Sequence, residues 1–194
     1  MENKELSPEE SFEIITNVIT QARNRFEENG FVYVFWGALI AIAAIGQFLL
    51  LQKELYDINW YPYLLMPVGS VITGIYYSKK RKAGFKNQVS RIVSVSWITI
   101  SANLLILGAV FAMQLKQNLI PVLLILLSVG ILVSAGTFKS KLLYYSGIVV
   151  NISAFVCFYL DWIYHSLLMG VVAIVAMLIP GIILVIQNKK DKNV

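Results

Sequence analysis

Six stretches of about 20 mostly apolar residues follow one another along this chain, joined by short polar connections. Wound as helix at about 1.5 Å per residue, a run of that length matches the roughly 30 Å hydrocarbon core of a bilayer. The runs are 31–51, 60–77, 92–115, 119–138, 142–160 and 163–186. Each is continuous in its hydrophobicity. Strands of a membrane barrel would be about half as long and would alternate apolar with polar. Of the 194 residues 58% are hydrophobic and 14% charged, whereas a soluble domain carries about 25% charged residues. The expected fold is therefore all-α: an integral membrane bundle of six transmembrane helices preceded by a cytoplasmic amphipathic helix. The expected boundaries are 1–30 for the amphipathic region, 31–187 for the transmembrane domain and 188–194 for a basic tail.

Charge orients this bundle. Of the 16 Lys and Arg residues, Lys53 and Lys116 alone fall in connections after the first, third or fifth run. The other fourteen lie in the N-terminal region, in the connections after runs two and four, and in the tail. Basic residues stay on the cytoplasmic side of a membrane, so both termini are expected there, in a bacterial cytoplasmic (inner) membrane with an anionic inner leaflet. Aromatic residues mark the same boundaries. Trp60, Tyr61, Tyr63, Tyr159, Trp162 and Tyr164 gather at the expected outer face, and Tyr76, Tyr77, Tyr144 and Tyr145 at the inner one. The first 30 residues lack a basic start and a small-residue cleavage site, so the first run is expected to serve as the insertion signal.

Residues 7–28 read as the one element outside the bilayer. Ser7, Pro8 and Glu10 have the spacing of a capping box with proline at the first helical position. Phe12, Ile15, Ile19, Ala22 and Phe26 then repeat every three or four residues, making one apolar stripe. The opposite face is acidic, carrying Glu9, Glu10, Glu13, Glu27 and Glu28. Surface-seeking helices are normally basic. Docking on the chain's own basic loop, contact with a protein partner or second copy, and lying on the lipid surface all remain open. That loop, with Lys79, Lys80, Arg81 and Lys82, is an orientation signal and lipid contact in the plain reading and a site for an acidic partner in the sharper one. No recognition fold surrounds it, so nucleic acid is not an expected partner.

Catalytic chemistry finds little to work with. The chain has one His and one Cys, which excludes an intrachain disulfide and any multi-cysteine metal site. No phosphate-binding loop, dinucleotide fingerprint or zinc-protease motif is present, and no cofactor is expected. His165 follows Asp161 by four residues, a spacing that reads as an exposed interfacial pair. Cys157 reads as a small apolar side chain. Apart from Asp161 at an edge, the runs hold no Asp or Glu, whereas ion-coupled transporters keep such groups within the membrane. Gln47, Asn103 and Asn151 are the principal mid-span polar groups. They read as interhelical hydrogen-bond formers, or as the lining of a small neutral site near the midplane.

A repeat is visible as well. Val32-x-Val34-x-Trp36 opens the first run and Val93-x-Val95-x-Trp97 the third, each followed by a turn and a returning helix. Three stacked hairpins would explain it. Small residues four apart (Gly37 and Ala41, Ser70 and Gly74, Gly130 and Ser134) permit close helix approach, and Pro67 and Pro180 are candidate kinks.

The stretch Arg23-Asn24-Arg25-Phe26-Glu27-Glu28-Asn29-Gly30, running into Phe35-Trp36-Gly37, resembles the start of a set of uncharacterised small bacterial multi-pass membrane proteins with an acidic N-terminal helix. The resemblance covers the first 50 or so residues and implies a similar layout without an activity. In size and span number the chain is also similar to the substrate-binding subunits of energy-coupling-factor vitamin transporters. The helix before the first span resembles that of ABC-type permeases. Two functions are expected from these readings. One is a non-enzymatic regulatory, sensory or assembly subunit working through its cytoplasmic helix and basic loop. The other is a transport component with a neutral midplane site.

Overall fold

The computed structural model describes Thr16, residues 30–80 and residues 88–191. The expected amphipathic helix, with Phe12, Ile15, Ile19 and Phe26, lies outside the described residues, as do Arg81 and Lys82. The described chain is all-helical, with no strand among the described residues. Helix α1 is Gly30–Gln52, α2 Leu65–Lys80, α3 Gln88–Ala109, α4 Leu119–Phe138, α5 Lys141–Cys157, α6 Trp162–Ala173 and α7 Ile179–Asp191. A 3-10 turn, Tyr61–Leu64, leads into α2, and a π-helical turn, Ile174–Leu178, joins α6 to α7.

Four helices are long and apolar enough to cross a membrane: Gly30–Gln52, Arg91–Ala109, Ala112–Phe138 and Trp162–Ile186. They mark the chain as a membrane protein. The two other expected runs form shorter helices, the 16 residues of α2 behind their 3-10 turn and the 17 residues of α5.

Across the bundle the packing order is α2, α1, α6–α7, α5, α4, α3, with α2 and α3 on its flanks. The central seams follow the three-and-four spacing that keeps one stripe of a helix against its neighbour. On α5 that stripe is Leu143, Ser146, Val150, Ala154 and Cys157, all buried. On α4 it is Leu124, Ser128, Ile131, Ala135 and Phe138. The turn between these two helices is tight. Lys139 takes the left-handed conformation (φ 51°, ψ 35°), which ends α4. Ser140 then accepts the Leu143 amide at 3.5 Å and so caps α5.

Among the described residues, helix α1 and the last stretch, α6–α7, meet in a second seam. Helix α1 runs antiparallel to α6–α7, and each step forward along one is a step back along the other. Gly30 lies against Val185, Gly181 against Val34, Gly37 against Leu178 and Gly170 against Ile45. A Cβ added at Gly37 would sit 2.7 Å from the Leu178 amide nitrogen. The two backbones touch there, and only glycine permits it. Ala41 and Ala44, also buried, continue the seam. The partner stretch at Gly37 is the π turn. Pro180 has no N–H to give to the carbonyl four residues back and its ring would strike that carbonyl, so the helix widens just before it. The expected kink at Pro180 is thus realised as a π turn. Pro67 is the third residue of α2, where an amide needs no partner within the helix. The Ser70–Gly74 pair makes no close approach at Gly74, where an added Cβ would meet nothing within 4 Å.

Candidate functional site

The three mid-span amides go to three different places, and no hydrogen bond joins any two of them. Gln47, near the end of α1, donates to the Asn59 side chain at 3.1 Å and accepts from the Tyr63 hydroxyl at 3.0 Å. The same hydroxyl lies 3.8 Å from Met169 Sδ on α6. This cluster fastens the connection between α1 and α2 to the bundle. Asn151 on α5 donates to Ser128 Oγ on α4 at 2.9 Å. Ser128 is fully buried and gives its own proton to the Ile125 carbonyl. Asn103 is exposed on α3 and donates to the Thr99 carbonyl of its own helix at 2.8 Å.

Sequence reading missed two other contacts of this kind, although their residues were in view. Trp36 Nε1 donates to Thr73 Oγ1 at 3.1 Å, from α1 to α2, and Trp97 Nε1 donates to Ser134 Oγ at 2.9 Å, from α3 to α4. Each hydroxyl passes its proton to a glycine carbonyl one turn back, Thr73 to Gly69 and Ser134 to Gly130. Each glycine lies under the indole ring that the hydroxyl receives, with an added Cβ 3.5 Å from Trp36 and 3.3 Å from Trp97. The two locks are in one register, from 36 to 97, 69 to 130 and 73 to 134, a constant step of 61 residues. The Val-x-Val-x-Trp repeat therefore extends to the returning helix of each hairpin. The signal in the sequence was a Gly-x-x-x-Ser/Thr at a fixed distance after each Trp.

His165 departs from expectation. It is buried, at 4% exposure, and not an exposed partner of Asp161. Its Nδ1 is 3.0 Å from the Gln117 carbonyl and its Nε2 3.0 Å from the Leu160 carbonyl. Which ring nitrogen carries the proton decides which carbonyl receives the hydrogen bond. Asp161 caps α6 by backbone conformation alone. The imidazole thus ties the connection before α4 to the one before α6, a structural post at the end of the bundle that carries Lys53 and Lys116.

Among the described residues no group of three His, Cys, Asp or Glu side chains could hold a metal ion. A groove between α1 and the α6–α7 helix is lined by apolar residues throughout, among them Ala38, Ile42, Ile45, Leu49, Ile174 and Leu178. It suits a hydrocarbon chain and offers no polar group to a soluble substrate. Of the basic cluster, Lys79 and Lys80 form the last residues of α2.

No family model, curated protein or solved structure matches the chain.

Proposed function

We propose that this is a non-enzymatic integral membrane protein of a bacterial inner membrane, a regulatory, sensory or assembly subunit that acts by protein contact. It crosses the membrane six times with both termini in the cytoplasm. Its contact surface is the acidic helix with Phe12, Ile15, Ile19 and Phe26 together with the basic loop Lys79, Lys80, Arg81 and Lys82. One observation carries this reading. The amides that could have built a midplane site, Gln47, Asn103 and Asn151, are dispersed over three helices, each with its own partner. A transport component would hold such groups around a common space.

Six spans are supported by helix lengths. The turn Tyr61–Leu64 and α2 form unbroken helix over 61–80, about 30 Å of rise. Helix α5 adds about 25 Å, enough for a short span with interfacial ends. An even number of spans also agrees with the distribution of Lys and Arg.

Affinity isolation in mild detergent tests the function, comparing the full chain with one lacking residues 1–28. Loss of the co-isolated protein with the bundle still folded is the expected result. Retention of every partner would sink the proposal. Reporter fusions within 53–60 and 81–87 test the orientation, with the second cytoplasmic and the first not.

A further inference from the structure

The two Trp locks make the hairpins α1–α2 and α3–α4 copies of one plan, so each position of α3 has a counterpart 61 residues earlier on α1. That equivalence isolates one face. On α3, Val93, Trp97, Ile100 and Leu104 lie toward the core, with Val93 and Ile100 buried. One residue back, about 100° around the helix, runs a second stripe: Ile92, Ser96, Thr99, Asn103, Ile106 and Val110. Its spacing is four, three, four, three and four, the pattern of a helix that packs along its length against another helix. All but Ser96 are exposed, and only 11% of Arg91–Ala109, the membrane-spanning part of α3, is buried.

The counterparts of Thr99, Asn103, Ile106 and Val110 are Ala38, Ile42, Ile45 and Leu49, the α1 side of the apolar groove. Ser96 corresponds to Phe35. In the first hairpin, then, this face is purely apolar and suits lipid. In the second, the same face carries a Ser, a Thr and an Asn. Asn103 uses one N–H on the Thr99 carbonyl, and the side chain is exposed at the surface of the bundle with its other N–H and its oxygen bonded to no described residue. A carboxamide facing hydrocarbon is unfavourable, and an interhelical hydrogen bond removes the penalty.

We infer that the stripe Ser96–Thr99–Asn103–Ile106 is the interface of a homodimer. A two-fold axis along the membrane normal sets two copies of α3 side by side in the same direction, so every residue meets its own counterpart at the same depth. A carboxamide both donates and accepts, so Asn103 is complementary to Asn103 of a second copy. The hydroxyls of Ser96 and Thr99 also match their own kind. No side chain of the stripe is charged, so nothing on it selects a partner of opposite charge.

Disulfide trapping in native membranes tests this. The parent chain is the control, because its one cysteine, Cys157, is buried. Thr99→Cys, Asn103→Cys and Ile106→Cys are expected to form covalent dimers at least about fivefold more than Ile98→Cys and Leu105→Cys, which lie on the far side of α3. Equal yields around the helix, no dimer at any position, or trapping into a different protein would overturn the assignment. Asn103→Leu supplies a second readout by concentration-dependent energy transfer in liposomes. Dimer association is expected to weaken by about 3- to 18-fold, the range for one membrane hydrogen bond, with thermal stability of the monomer retained. Unchanged association would refute the role of the amide.

Discussion

Gly37→Ala is the most exacting test of the packing described above. The added methyl would stand 2.7 Å from the Leu178 nitrogen, 3.0 Å from Leu178 Cα and 3.1 Å from Met177 Cβ. Ordinary contact begins near 3.4 Å, so α1 and the π turn must part by roughly 0.7 Å. Two of the three obstructing atoms are backbone and cannot swing aside. A gap of that size forfeits about a quarter to a half of the dispersion energy of each contact it opens, and overpacking of this kind costs about 1–3 kcal/mol. Alanine also favours helix over glycine by about 1 kcal/mol, which would partly mask the clash. Gly74→Ala removes the ambiguity. It makes the same change within a helix at a point where nothing lies within 4 Å, so the propensity gain cancels in the comparison. Gly37→Ala should therefore be less stable than Gly74→Ala by about 1–3 kcal/mol, or roughly 2–12 °C in melting temperature for a chain of this size. Thermal unfolding in detergent, followed by intrinsic tryptophan fluorescence, measures it. Equal stability of the two variants would refute the backbone contact between the first and last spans.

Three further outcomes follow from the same contacts. Trp36→Phe and Trp97→Phe should each cost about 0.6–1.7 kcal/mol, and the double variant should be additive within about 0.5 kcal/mol. A larger coupling in the same unfolding assay would mean that the two locks are not independent. Ser128→Ala strips Asn151 of its acceptor and should cost about 1–3 kcal/mol. Adding Asn151→Leu should recover part of that loss, and if it deepens the loss instead, the hydrogen bond is not what holds these helices. Pro180→Ala should lower stability even though it removes a helix breaker. An α-helix running through 174–178 would rotate α7 by about 100° and carry Gly181 away from Val34. Higher stability in that assay would show that the π turn is not needed by the seam.

Much of this architecture can be read from composition and spacing. Long uncharged runs have few alternatives, because in hydrocarbon each backbone amide must be satisfied within its own helix. The repeat was legible in part, since Val-x-Val-x-Trp is a local pattern. Its returning half was harder to see, because Thr73 and Ser134 matter only through an indole 37 residues away. The seam between α1 and α6–α7 was legible only on one side, as the small pair Gly37 and Ala41, and its partner was not. Gly and Ala are common throughout membrane helices, and nothing in their spacing says that Gly37 meets Leu178 while Gly74 meets open space.

Asn103, Asn151 and His165 show most clearly where sequence stops and tertiary structure begins. The letters alone place them by depth, because depth follows from counting residues along a helix. They do not say which way each side chain points around its axis. Rotation is decided by packing: Asn151 is turned inward to Ser128, Asn103 outward from the bundle, and His165 under two carbonyls. Composition and run length already make this chain helical and bound to a membrane, since hydrophobic length is a sum over neighbours in the chain. Which helices touch, and so which polar groups are left facing outward, was decided only by the fold, since those contacts form between residues far apart in the chain.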